Sequence, residues 1–91
     1  MTAKRGSISK KMRGEIFRCV LRRGAQGATI EEIAALTGIR MQTVCARRNE
    51  LGKKRFVTDS GLRRETMSGS SAKVWVVPEK LAIAARARGM V

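Results

Sequence analysis

Histidine and tyrosine are absent from this chain, proline occurs once, and aromatic residues make up only 3% of it. Without histidine, the commonest general base and metal ligand is missing, and the two cysteines, Cys19 and Cys45, cannot complete a four-ligand zinc site from one chain. Carboxylates are few, 7 Asp+Glu in all, and no glycine-rich loop leads from a strand into a helix. No acid-base or nucleophile pair can therefore be named, and the expectation is a protein that is not an enzyme and needs no cofactor. The scarcity of aromatics also argues against stacking on unpaired RNA bases. No apolar run approaches the roughly 18 residues of a membrane span, and residues 1 to 13 lack the apolar middle of a signal peptide. No membrane partner and a cytoplasmic location are expected.

What the chain has in excess is positive charge. Against its 7 acids stand 20 Lys+Arg, a formal net charge of +13. Such a surplus attracts polyanions, nucleic acid above all, although a carboxylate-rich protein attracts it equally. The 91 residues suit a single domain burying about 60 to 70% of its unfolded-chain surface. Its core should be aliphatic, with Trp75, Phe17 and Phe56 as the few large pieces. Cys19 and Cys45 read as small buried or half-buried apolar residues of helices; an exposed, redox-active Cys45 is the sharper alternative.

Residues 1–8, small and basic, are expected to form a loose N-terminal arm. Ser9 stands before Met12, Ile16, Cys19 and Val20, a three- and four-residue spacing that predicts helix 1 over 10–23, stopped by Gly24. After a glycine-punctuated connection, Thr29 and Glu32 form a capping box opening helix 2 over 30–36, with Ile33, Ala34 and Leu36 inward. Gly38 suits a left-handed bend, and the small Ala34 permits close approach of the next helix. Helix 3 is expected over 41–54, directing Val44 and Leu51 at the core. At roughly 100° per residue, Gln42, Ala46, Asn49 and Lys53 then face outward. Arg40, Arg47 and Arg48 fall on the inner flanks, where a guanidinium needs a carboxylate or a phosphate. Residues 55–58 and 74–77 read as strands joined by a long basic loop. Pro78 ends the second, and a helix over 79–88 follows, with Leu81, Ala84 and Ala85 as an apolar stripe and Gly89 as its stop.

The order helix, helix, turn, helix, strand, basic hairpin, strand over residues 9–77 resembles the winged helix-turn-helix family. More narrowly, T-V-x-A-R-R-x-E-L at 43–51 and D-S-G-x-R-R-x-T-x-S-G-x-x-A-x-V-W at 59–75 look like the small winged-helix proteins of bacteriophages and prophages, usually described as DNA-binding. The resemblance implies an α+β fold with a three-helix core and a two- or three-stranded wing; residues 78–91, which it does not cover, are expected to add a C-terminal helix. It also implies that Gln42 to Lys53 enter a major groove and that Arg63 to Lys73 lie on a minor groove or backbone. The sequence departs from the pattern at Arg55, where a glycine commonly separates helix 3 from the wing, and at Arg40, where a Ser-type cap is common.

The side chains suit those roles. The amides of Gln42 and Asn49 match adenine N6 and N7, Arg47 or Arg48 matches guanine O6 and N7, and Ala46 matches the thymine methyl. Thr43 and Lys53 suit phosphate, while Arg63, Arg64 and Lys73 suit a phosphate or minor-groove clamp. At least one of Arg47 and Arg48 is expected to hold the wing or to pair with Glu50 or Glu32. The expected function is sequence-selective binding of double-stranded DNA by a phage or prokaryotic transcriptional regulator, as a homodimer joined through helix 1 or the last helix. The alternatives are a phage-made protein docking on an acidic host protein, and nonspecific DNA binding.

Overall fold

Apolar spacing of three and four residues places Ile16, Val20 and Leu21 on one side of helix α1 (Thr2–Arg23), where all three are buried. A 3-10 turn (Gly24–Gln26) leads to α2 (Ile30–Thr37), then α3 (Met41–Lys53), strands β1 (Thr58–Glu65) and β2 (Ser71–Val76), and α4 (Glu79–Ala87). This computed structural model describes the backbone of residues 2–89 and the side chains of residues 10–89. The protein is α+β, with four helices and one two-stranded antiparallel sheet among the described residues. None of the described helices is long and apolar enough to cross a membrane. Helix α1 begins at Thr2 rather than near residue 10, so the segment expected to be a loose arm is helical backbone. Ser9 is an interior residue and not a cap, because nothing from Thr2 to Lys10 except Gly6 opposes helix and no proline interrupts it.

The start of α2 is as the sequence dictates. The Thr29 hydroxyl accepts the Glu32 backbone N–H at 3.2 Å, and the Glu32 carboxylate accepts the Thr29 N–H at 3.1 Å. Gly38 ends the helix with φ 75°, its N–H donating to the Ala34 carbonyl at 2.9 Å. Ile33 is buried as expected, but Leu36 is 61% exposed. It sits in the last turn, on the rim of a shallow groove beside Arg18 and Arg22 of α1. The side chains of Val44 and Leu51 from α3, Val57, and Ala82 and Ala85 from α4 complete the core around Ile16, Val20 and Ile33. On α4 the buried pair is thus Ala82 and Ala85, whereas Ala84 of the expected stripe is exposed. Cys19 is buried, and loss of solvation pushes its thiol pKa up against the opposing charges of Arg23 and Arg22. Cys45 is exposed on α3, contrary to its reading as a buried or half-buried residue; the exposure, though not the redox activity, of the sharper alternative is what the fold gives it.

The first strand differs most from expectation. Residues 55–57 form the exit of α3, and β1 occupies much of the stretch that the sequence predicts as loop. Arg55 N–H donates to the Gly52 carbonyl at 3.0 Å and Phe56 N–H to the Leu51 carbonyl at 2.9 Å, the paired bonds of a Schellman turn. Such a turn requires a left-handed residue, and Arg55 takes it with φ 61°, alone among the described non-glycine residues. This is where the winged-helix pattern carries glycine, so Arg55→Gly is expected to stabilise the fold. Relief of the left-handed penalty of about 1–2 kcal/mol, less the greater freedom of glycine when unfolded, leaves about 0.5–1 kcal/mol. Thermal denaturation should show a melting temperature higher by roughly 2–8 °C; a lower one would refute this account of the turn.

Strand β1 pairs with β2 from Thr58 opposite Val76 to Glu65 opposite Ser71, but its register shifts between Asp59 and Arg63. There Ser60 to Leu62 lie opposite Val74 alone. Gly61 has φ 85°, and the Asp59 carboxylate accepts the Gly61 N–H at 2.9 Å. A tight turn closes the hairpin, with Thr66 N–H donating to the Ser70 carbonyl at 2.8 Å. On its other edge, β2 exchanges two hydrogen bonds with Ala28, Ala28 N–H to the Trp75 carbonyl at 2.9 Å and Trp75 N–H to the Ala28 carbonyl at 2.8 Å. The segment between α1 and α2 thereby contributes one residue to the sheet.

Candidate nucleic-acid interface

Two elements carry the residues singled out from the sequence, α3 and the β1–β2 hairpin. On α3, Arg40 at the helix start, Gln42, Asn49 and Lys53 are exposed, whereas Thr43 and Ala46 are half-buried. The wheel that buries Val44 and Leu51 accounts for the exposure of Gln42, Asn49 and Lys53, whereas Ala46, expected to face outward with them, is half-buried. Lys54 and Arg55 extend the exposed positive end of the helix beyond Lys53. They were missed as site residues, although the run Lys53-Lys54-Arg55 signals them in the sequence.

The two central arginines of α3 are occupied within the protein. Arg47 runs along the helix to Glu50, Nη2 to Oε2 at 3.3 Å, and its side chain is only 19% exposed. Its Nε is buried without a hydrogen-bond partner. Arg13 of α1 reaches the other oxygen of Glu50 at 2.9 Å, tying α1 to α3. The hydrogen bond from Arg13 and the nearby charge of Arg47 hold the Glu50 carboxyl below the usual carboxylate range. Arg48 instead lies over the Trp75 ring, 4.0 Å from its centroid, and also donates to the Asn49 side-chain oxygen. One arginine therefore pairs with Glu50 and the other braces α3 against β2. Trp75 itself, expected in the core, is half-buried and serves as this platform.

The register of the hairpin sorts its cations. Arg63 stands directly opposite Lys73, and both are exposed on one face, a like-charge pair that is unfavourable unless an anion bridges it. Lys73 lies 3.8 Å from Asp59 and 6.0 Å from the Trp75 ring centroid, so Lys73 and Arg48 converge on the same indole. Arg64, one residue on, points to the opposite face. It donates to Glu32 and to the Gln26 carbonyl, both at 2.5 Å. Placing Arg63 and Arg64 in one clamp is therefore corrected: Arg63 is available on the surface, and Arg64 is a structural tie. Nor are both helix amides equally free, since Asn49 is engaged by Arg48.

Glu32 is the centre of that tie. It accepts from Arg23 at 3.3 Å as well as from Arg64 and the Thr29 N–H. Burial alone would raise its pKa, but the hydrogen bonds from Arg64 and Thr29 and the charges of Arg64 and Arg23 outweigh that and hold it below 4.5. Its neighbour Glu31 accepts the Met67 N–H at 2.9 Å, so the hairpin tip is also fastened to the start of α2. Glu31, Glu32 and Glu50 are thus engaged away from Arg63 and Lys73, whereas Asp59, 3.8 Å from Lys73, and the exposed Glu65 share the face of the hairpin that carries those two cations. Comparison of the chain with protein-family models, curated proteins and solved structures finds no match in any of the three.

Proposed function

We propose that this protein binds double-stranded DNA as a winged helix, with α3 in the major groove and the exposed face of the hairpin on the neighbouring backbone. The carrying observation is the uneven commitment of charge: Glu31, Glu32 and Glu50 are engaged by intramolecular partners, while Arg40, Lys53, Lys54 and Arg63 are exposed and in no salt bridge among the described residues, Lys73 is exposed with only the 3.8 Å contact to Asp59, and the Gln42 amide is exposed on the same helix as Lys53. Bracing of α3 on the hairpin through Arg48 and Trp75 gives one rigid surface rather than two independent ones. Lysines and arginines then supply affinity through phosphate, and Gln42 supplies base selectivity, as expected of a sequence-selective regulator.

Selection from a random duplex library at about 150 mM salt tests this reading. A compact enriched motif is expected, and Gln42→Ala should relax preference at one base position by about 1–3 kcal/mol. With about six phosphates neutralised, the logarithm of affinity should fall against the logarithm of salt concentration with a slope near −5. Salt-labile binding without a motif would reduce the function to nonspecific coating of DNA. A slope near zero would remove DNA as the ligand.

A further inference from the structure

A groove of about 410 Å³ opens between α1, the turn after α3, and α4. Its walls are the rings of Phe17 and Phe56, packed edge to face with centroids 6.0 Å apart, and the side chains of Leu51 and Leu81. Gly14, Ala84 and Ala85 also line it, and these small residues leave the space open. Phe56 remains 39% exposed in it, because the left-handed Arg55 turns the chain so that Phe56 faces the groove instead of joining the sheet. Lys10, Arg13, Lys54 and Arg88 stand around the apolar lining, and no carboxylate lines it. Arg13 is committed to Glu50. Lys10, Lys54 and Arg88 form no salt bridge among the described residues.

We propose that this groove is a binding site for an amphiphilic organic anion, a ligand with an apolar body and one carboxylate or sulfonate head. The volume and the aromatic and aliphatic lining match small-molecule sites, and the rim selects the sign of the head group. A second copy of the chain does not suit the groove, since it would bring the same cationic rim and another +13 charge against it. A macromolecular partner does not suit it either. The lining is a few side chains across, far less than the roughly 800 Å² per partner of a standard protein interface. The inference does not depend on DNA binding.

Isothermal titration calorimetry of the full chain with decanoate, kept below its micelle-forming concentration, and with decanol, kept below its solubility, tests it without nucleic acid. One decanoate per chain is expected, bound at least about ten-fold more tightly than decanol. Ala84→Glu places a carboxylate at an exposed position of the lining and should weaken decanoate about ten-fold or more. The double variant Lys54→Gln, Arg88→Gln removes charge at exposed positions without touching the core. It should bring decanoate to within about three-fold of decanol. Absence of decanoate binding to the unaltered chain, equal binding of the alcohol, or binding unchanged in both variants would overturn the proposal.

Discussion

Gly27→Ala is expected to lower the melting temperature by roughly 20 °C or more, the largest effect of an added methyl group at any of the described glycines. Gly27 adopts φ 64° and ψ −167°, a conformation that is essentially restricted to glycine and costs other residues about 1–3 kcal/mol. Its missing Cβ would also lie 2.5 Å from the Trp75 carbonyl oxygen, 2.7 Å from Val74 Cγ1 and 2.8 Å from Val76 Cγ1. The carbonyl cannot retreat without breaking the two-bond bridge between Ala28 and Trp75, each bond of which contributes about 1 kcal/mol. Strain and bridge together come to about 4 kcal/mol, against a total stability of about 5–15 kcal/mol. Gly38→Ala is the control. Its φ of 75° is also left-handed, yet nothing lies within 4 Å of its added Cβ, so only about 1 kcal/mol should be lost. Circular dichroism melts of the two variants decide the matter: equal losses would mean that contact with β2 is not what fixes Gly27.

Replacing Glu32 is expected to have the second largest effect, and to move stability and DNA affinity in opposite directions. Glu32→Ala removes the reciprocal cap of α2 and the charged hydrogen bonds of Arg23 and Arg64. Discounted because the Glu32 side chain is 29% exposed, the loss is about 2 kcal/mol, or roughly 8–16 °C. Glu32→Gln keeps a side chain able to close the capping box while deleting the charge, so it should cost less. The pH dependence follows from the direction of the shift. Because the folded-state pKa lies below its ordinary 4.5, Glu32 contributes stability that is complete above that value and is lost as pH falls through the depressed one. Melts of the unaltered chain should therefore weaken on acidification below about pH 4.5, and those of Glu32→Gln should weaken less over the same interval. Under the proposed function, releasing Arg64 adds one free cation and steepens the salt dependence by about 0.9 in slope. Lower stability with an unchanged salt slope would leave Arg64 a structural tie in both proteins and remove the opposition.

Local chemistry made much of the helical half legible. The Thr29–Glu32 box, the Gly38 bend, and the burial of Ile33, Val44 and Leu51 depend on residues within one or two turns of one another, so spacing specifies them. The hairpin was not legible in the same way. Residues 59–65 are mostly polar and largely exposed on both faces, so they carry no alternation to mark a strand. Their pairing comes from β2, whose residues 71–75 meet them across the hairpin, and from the bulge at Gly61. The departure at Arg55 was visible as a missing glycine, but only the Schellman bonds show that arginine itself takes up the left-handed conformation.

The same division runs through the candidate site. The sequence by itself determined the surplus of positive charge, the outward amide at Gln42, and the conflict between charge and periodicity at Arg47 and Arg48, because these follow from composition and from the helical repeat alone. Only the tertiary structure decided which cations are free. Arg47 is drawn to Glu50, Arg48 is stacked on Trp75, and Arg64 is held by Glu32 while Arg63 stands in solvent. Adjacent residues of a strand face opposite ways, so a shift of one position in the register would exchange the parts of Arg63 and Arg64. That register, the indole under Arg48 and the carboxylate that meets Arg64 belong to contacts between different segments of the chain, which no local pattern encodes; only the Arg47–Glu50 pair, three residues apart on α3, is offered by the helical repeat itself.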